Sequence, residues 1–96
     1  MIAGNFKTYQ VTIANGATGT LDLSTVVSTE KILKINPGAS NVRLLLTSMA
    51  STTNADVEDY LLVNEENEFE IGRGLDRLSF YNGSGSEVKV SIAVLY

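Results

Sequence analysis

The sequence predicts an all-β fold: a compact antiparallel β-sandwich of jelly-roll-like or Greek-key type, with a small β-barrel as the alternative. Three observations support this prediction. Apolar residues recur with a period of two rather than 3.6, as in half-buried strands. Turn sequences rich in Gly, Asn and Ser separate these stretches at intervals of roughly 8–12 residues. No stretch has the pattern of a long helix, and 96 residues fit one domain, 1–96.

The first two strands are predicted at YQVTIA, residues 9–14, and at the short alternating stretch LDL, residues 21–23. Between them lies NGATG, whose Asn15-Gly16 pair favours a turn because both residue types tolerate positive φ.

The middle of the chain contains the least regular stretch and the strongest turn. STVVSTEKILKI, residues 24–35, predicts an irregular strand, or a brief turn that leads into a strand at 32–35. NPGASN, residues 36–41, predicts a type II turn, because proline presets φ and glycine accepts the positive value. VRLLLTS, residues 42–48, is apolar on both faces at its centre and is therefore predicted to lie inside a sheet.

The second half predicts a polar surface loop at 49–56 and strands at 57–63, 69–72 and 75–81, followed by a closing strand that ends at Tyr96. Their inward residues complete the predicted core. That core comprises Tyr9, Val11, Ile13, Leu33, Ile35, Leu44, Leu46, Leu62, Phe69, Ile71, Leu78, Phe80, Val88, Val90, Ile92 and Val94.

The composition excludes most catalytic chemistry. There is no histidine and no cysteine, which removes the commonest general base, the usual nucleophile pairs and disulfides. Carboxylate pairs alone hydrolyse glycosides, but the acids here fall in a loop-rich segment and the chain has no tryptophan for a sugar platform. We therefore expect no enzymatic activity and no cofactor.

Acidic residues are concentrated in one segment. Seven acids and no base lie between Leu44 and Gly72, whereas the remainder has seven bases and four acids. This distribution would repel a phosphate backbone, so we expect no nucleic-acid partner. Carboxylates are ligands for hard cations, although the spacing matches no EF-hand loop. The weak candidate ligands are Asp56, Glu58, Asp59, Glu65 and Glu66. A solvated acidic sheet edge is the simpler interpretation, and we expect no bound metal.

Several short motifs have structural explanations. GRG at 72–74 and GSG at 83–85 precede no helix, so we interpret them as turns rather than phosphate loops. The NGS sequence at Asn82 is likewise interpreted as a turn. Arg73 and Arg77 flank Asp76, and a local ion pair explains them more simply than a ligand site. No apolar run approaches the roughly 20 residues that cross a bilayer, and residues 1–20 lack the pattern of a signal peptide, so we expect a soluble protein without a membrane partner.

The closing strand raises the question of what covers its outer face. Its outward side chains change from polar to apolar and end on Ala93 and Leu95. The stretch MIAGNF, residues 1–6, contributes the apolar Ile2 and Phe6 and is a possible N-terminal arm. These residues either fold back onto their own sheet or add to a neighbour's sheet. We expect a neighbouring subunit to cover Ala93 and Leu95, since the sequence ends without a polar tail.

The last quarter, LDRLSFYNGSGSEVKVSIAVLY, resembles the closing hairpin of small β-sandwich virion proteins of tailed bacteriophages, the capsid decoration (cement) proteins and related head proteins. In those proteins a hydrophobic-acid-Arg-hydrophobic strand leads through N-x-[ST]-G into a V-x-V-x-V strand. Here Leu75 to Leu78, Asn82 to Ser86, and then Val88, Val90 and Ile92 occupy those places. The remainder of the chain agrees in size and all-β character.

The resemblance implies a mechanical function. Such proteins are made in the host cytoplasm and bind the outside of the capsid at junctions between capsomers, often as homotrimers. They bridge major capsid protein subunits and stabilise the shell against the pressure of packaged DNA. The implied interface residues are Ile2, Phe6, Ala93 and Leu95, and no catalytic residue is implied. Two alternatives remain: another phage structural component (tail, fibre or head–tail adaptor), and a small surface- or carbohydrate-binding module.

Overall fold

The structure is a computed structural model that describes residues 2–26, 28–56 and 60–96. Eight strands occur in these ranges, and no helix does, so none of the described residues forms a membrane-spanning helix. The strands are β1 (Phe6–Ile13), β2 (Thr18–Asp22), β3 (Glu30–Asn36), β4 (Val42–Thr47), β5 (Leu61–Val63), β6 (Asn67–Gly72), β7 (Arg77–Asn82) and β8 (Val88–Leu95).

The strands form a jelly roll of two four-stranded antiparallel sheets. The first sheet has the order β1-β8-β3-β6 and the second sheet the order β2-β7-β4-β5. The antiparallel pairs β1–β8, β2–β7, β3–β6 and β4–β5 are nested, as in one long hairpin. Rolling that hairpin up brings β8 beside β3 and β7 beside β4. The prediction of an antiparallel, jelly-roll-like sandwich is confirmed, because the described strands form two separate sheets rather than the alternative barrel.

The core lies between the two sheets, where alternate residues of each strand point inward. In β8 all four inward residues are buried, and in β3 Leu33 and Ile35 have no exposed surface. Apart from Leu62, every predicted core residue belongs to the buried cluster or packs against it. The cluster also contains Leu23, Val26, Val42 and Val63, which the prediction missed.

Leu62 was wrongly placed in the core. It pairs with Arg43 on the outward side of the second sheet and is 50% exposed, whereas Val63 is 1% exposed. Consecutive residues of a strand point to opposite faces, so a one-residue error exchanges core for surface. β5 is also shorter than expected. Tyr60 precedes it outside any strand, and residues 57–59 of the predicted strand lie outside the described residues.

Two turns agree with the sequence prediction. Gly16 and Gly38 have φ values of 73° and 74°. At the second turn the Asn36 side-chain oxygen accepts a hydrogen bond from the Gly38 N–H at 3.0 Å. In the Asn-Pro-Gly sequence, proline and glycine therefore set the backbone of the turn, and the asparagine side chain stabilises it.

The loop at 49–56 is not a simple surface loop, because part of it packs against the outer face of the second sheet. Ala55 is fully buried, and its N–H donates to the Ser79 hydroxyl at 3.0 Å. Ser79 is on the outward side of β7, opposite Leu45, yet it has no exposed surface. The chain thus covers part of this outer face with its own loop.

Candidate functional site

The outer face of the first sheet brings together three of the four predicted interface residues. Phe6 of β1 pairs with Leu95 of β8, and Leu95 pairs with Ile32 of β3. We call Phe6, Leu95 and Ile32 the apolar row. Ala93 lies two residues from Leu95 on the same face. Phe6 is 67% exposed, and the other three are half-buried. Sequence analysis missed Ile32, although its position next to the predicted core residue Leu33 indicates that it points outward.

The N-terminal residues run beside their own last strand. Gly4 and Asn5 N–H donate to the Tyr96 carbonyl at 3.0 and 2.8 Å, and the Tyr96 N–H donates to the Asn5 carbonyl at 3.0 Å. Asn5 and Phe6 therefore continue the β1–β8 ladder. Ile2 lies beyond this pairing and is 99% exposed, and Met1 lies outside the described residues. The segment lengthens the β1–β8 pairing along the strands and leaves Phe6 open to solvent.

An open trough of about 640 Å³ lies next to the apolar row on the same face. Its floor is the central strand β8, where Ser91 and Ala93 are small. Longer side chains rise on both sides, because Gln10 and Asn36 both pair with Ser91. The lining residues are Thr8, Tyr9, Gln10, Lys34, Asn36, Glu66, Ser91, Ile92 and Ala93. The trough thus offers hydroxyl, amide and charged groups beside an apolar end.

The acidic residues lie mainly along the outermost strand of the first sheet. Glu68 and Glu70 are exposed on β6, and Glu65 and Glu66 lie in the turn before it. Asp56 lies instead at the end of the loop over the second sheet. Charged side chains on an edge strand discourage pairing with a second chain.

The weak metal candidates do not form a site within the described ranges. No group of three or more potential metal ligands occurs there. Two of the five candidates, Glu58 and Asp59, lie outside the described residues.

Arg77 and Asp76 are not explained by a local ion pair, because each holds the loop at 49–56. The Arg77 guanidinium donates to the Thr53 carbonyl and to the Asn54 side-chain oxygen, both at 2.5 Å. The Asp76 carboxylate accepts a hydrogen bond from the Met49 N–H at 2.7 Å. This clamp was missed because its partners are about 25 residues away in the sequence.

The second sheet carries an aromatic contact that the sequence did not reveal. The Arg43 guanidinium lies 4.5 Å from the centre of the Tyr60 ring and 4.8 Å from that of Tyr81. An open tyrosine ring can stack on a sugar. A cation over each ring leaves Tyr60 and Tyr81 less suited to that role.

One carboxylate has a shifted pKa. The Ser24 side chain and backbone hydrogen-bond to Asp22 and hold the pKa of its carboxyl below the usual value. The Ser24 N–H lies 2.6 Å from the Asp22 oxygen. Asp22 is fully exposed, and this contact shapes the turn after β2 rather than an active site.

Comparisons with known proteins support the fold alone. Neither a protein-family model nor a curated protein matches the sequence. A cupin domain of an XRE family transcriptional regulator from Enterobacter cloacae superposes with a TM-score of 0.58 at 11% identity, over 95% of this chain and 81% of that one. A de novo designed double-stranded β-helix gives 0.58 at 11% identity, over 92% and 97%. A subunit structure from Bacillus endospore appendages, described as disulfide-linked pili, gives 0.52 at 12% identity, over 100% and 93%.

Proposed function

We propose that the chain is a non-enzymatic structural subunit that binds a larger protein assembly through the outer face of its first sheet. In its specific form, the proposal is a capsid decoration protein on the exterior of a phage virion. The observation that carries the proposal is the apolar row on the outer face of the first sheet, with the exposed Ile2 in the segment before β1. Outer faces of antiparallel sandwiches that meet only water are usually polar.

The two outer faces differ in how much of them the described chain covers, although Leu62 stays exposed on the second sheet. On the second sheet, the chain's own loop covers outward residues such as Ser79. On the first sheet, no described loop crosses the apolar row, and Phe6 remains largely exposed. An apolar patch beside polar and charged groups has the make-up of an interface centre and its rim.

Two further points support an assembly role. The subunit of the Bacillus endospore pili has the same fold over nearly the same length, so a sandwich of this size serves as an assembly component there. This chain has no cysteine, so disulfides would not form its contacts with other subunits. The resemblance of the closing hairpin to decoration proteins favours the major capsid protein as the partner and a homotrimer as the bound form.

Co-sedimentation with expanded, undecorated capsids tests the proposal. The capsids are assembled from the major capsid protein encoded in the same genome. We expect saturable, stoichiometric binding that raises the melting temperature of the shell. A wild-type chain that stays in the supernatant at all concentrations would refute the capsid proposal.

Matched variants locate the interface. Phe6→Ser with Ile32→Ser removes two members of the apolar row, and we expect binding to weaken by at least about tenfold for each lost contact of about 1.4 kcal/mol. Lys89→Ser is the control, because Lys89 is exposed on β8, the strand of Leu95, but lies outside the row and the trough. Circular dichroism checks that each variant folds. Equal binding by the double variant and the control would exclude this face.

The trough favours one second candidate, a module that binds carbohydrate. Its lining provides the hydroxyl, amide and charged groups that hydrogen-bond sugars. A glycan array followed by titration tests it, with Gln10→Ala expected to lose binding and Phe6→Ser expected to keep it. Pelleting with isolated tails or head–tail junctions, and not with capsids, would instead favour another virion role.

A further inference from the structure

A second cavity lies at one end of the sandwich, where the β2–β3 and β6–β7 connections meet. Its volume is about 200 Å³, and it is lined by Leu23, Ser24, Val26, Lys31, Arg73 and Asp76. None of these residues contributes to the apolar row or to the trough. The cavity therefore needs an explanation of its own.

Lys31 is the unusual member of this lining. It lies on the inward side of β3, opposite Ile71 of β6, and is only 1% exposed. Leu23 and Val26, both buried, lie beside it in the cavity wall. Lysine is almost never this buried unless its charge is paired, because an unpaired ammonium loses its hydration.

Lys31 is the buried cation in the cavity lining. Within the described ranges, no buried side-chain nitrogen or oxygen lacks a hydrogen-bond partner. None of the side-chain hydrogen bonds between described residues involves Lys31. An Nζ that faces the cavity would account for both observations, because Lys31 lines the cavity.

The charges around the cavity favour an anion. Lys31 and Arg73 supply two cations and Asp76 one carboxylate. One carboxylate oxygen of Asp76 already accepts the Met49 N–H at 2.7 Å. One positive charge therefore remains uncompensated in a partly enclosed space, where electrostatic attraction is stronger than in bulk water.

We propose that this cavity binds a small oxyanion, with Lys31 as the buried contact and the exposed Arg73 as the contact at the entrance. A volume of about 200 Å³ corresponds to roughly six or seven water molecules at about 30 Å³ each. That space admits a tetrahedral oxyanion with a few waters. It is smaller than the roughly 300–1,000 Å³ typical of sites for larger organic ligands.

Titration with sodium phosphate, followed by amide chemical shifts in NMR spectra of the full chain, tests this site. Sodium chloride at equal ionic strength is the reference, and sodium acetate is a second oxyanion. We expect saturable shifts confined to Leu23, Lys31 and Arg73 and their neighbours, with a phosphate-dependent rise in melting temperature. Acetate shifts at the same amides also support the site, because acetate carries the same carboxylate chemistry as a protein side chain.

Two variants and one control make the test specific. Lys31→Met and Arg73→Gln should each weaken phosphate binding by about tenfold or more, the loss expected for one charge-assisted contact. Lys7→Met removes an equal charge from an exposed site on β1 and should leave the titration unchanged. Lys31→Met should fold, because replacing a buried charge by an apolar chain of similar length is often neutral or stabilising. If it does not fold, Arg73→Gln decides.

The proposal is overturned if the wild-type chain shows no saturable shifts, if chloride alone produces them, or if the affected amides lie elsewhere. It is also overturned if Arg73→Gln binds phosphate as tightly as the wild type. Capsid binding through the first sheet is measured separately and does not depend on this outcome.

Discussion

Asn82 connects three parts of the chain through one buried side chain. Its Nδ2 donates to the Ile13 carbonyl at 3.0 Å and to the Ser86 carbonyl at 2.7 Å. Its Oδ1 accepts from the Ser84 N–H at 3.0 Å and the Ser84 hydroxyl at 2.7 Å. All four of its hydrogen-bonding positions are thus used, with no exposed surface. The NGS sequence is therefore a structural turn in the folded chain, and its amide is not open to glycosylation.

Replacing Asn82 should be costly. Asn82→Ala leaves the carbonyls of Ile13 and Ser86 without these donors, and we expect the free energy of unfolding to fall by about 2–4 kcal/mol. Asn5→Ala is the control, because Asn5 is exposed and contributes to the ladder through its backbone. Urea denaturation measures both. A loss below about 0.5 kcal/mol for Asn82→Ala would show that water replaces the amide.

Gly38 is required for two reasons. Its φ of 74° is in the left-handed region, and a Cβ there would lie 2.6 Å from the Lys89 carbonyl oxygen. We expect Gly38→Ala to lower the free energy of unfolding by at least about 2 kcal/mol, from backbone strain and the clash together. Gly74→Ala is the matched control, since a Cβ there meets nothing within 4 Å. Similar thermal denaturation of the two variants would contradict the argument.

At the scale of elements, the Arg77 clamp should control the loop over the second sheet. Arg77→Lys keeps the charge but cannot reproduce the guanidinium contacts to Thr53 and Asn54. We expect the Ala55 amide, which donates to buried Ser79, to exchange its hydrogen about tenfold faster or more. Arg73→Lys, on the neighbouring turn, should leave that exchange rate unchanged. Unchanged protection in Arg77→Lys would assign the loop's stability to the packing of Ala55 alone.

The regular strands were predictable because alternation and turn residues are local signals. The alternating stretch of β8 and the Pro37-Gly38 turn were both identified from short windows of sequence. The errors have a common cause. Leu62 belongs to an apolar pair in which either residue fits the core, and only its pairing with Arg43 decides which one points inward.

The candidate site was predictable in part, for the same reason. The outward position of Leu95 follows from alternation within its own strand. The adjacent positions of Phe6 and Ile32 depend on strand order, which no local pattern contains. The buried Lys31 was missed because a lysine in an alternating strand normally indicates the solvent face.

At the scale of the whole molecule, the two sheets differ in what their edges and outer faces expose. The first sheet presents the apolar row and the trough, and it ends on the acidic strand β6. The second sheet is partly covered by its own loop, held by Arg77 and Ser79. If the chain associates through the open face, the edge strand β6 must not pair with a strand of another chain, because such pairing could continue without limit. The exposed Glu68 and Glu70 of β6 suit that purpose.

Removing the charges of β6 should therefore change the association state. We expect Glu68→Thr with Glu70→Thr, which substitutes β-favouring neutral residues on an edge strand, to form larger species than the wild type. Glu30→Thr with Glu87→Thr changes the net charge equally at two other exposed positions and should sediment as the wild type does. Sedimentation velocity at low and high salt measures both. Growth of both double variants would attribute the effect to net charge, and growth of neither would show that the shape of β6 protects the edge without its carboxylates.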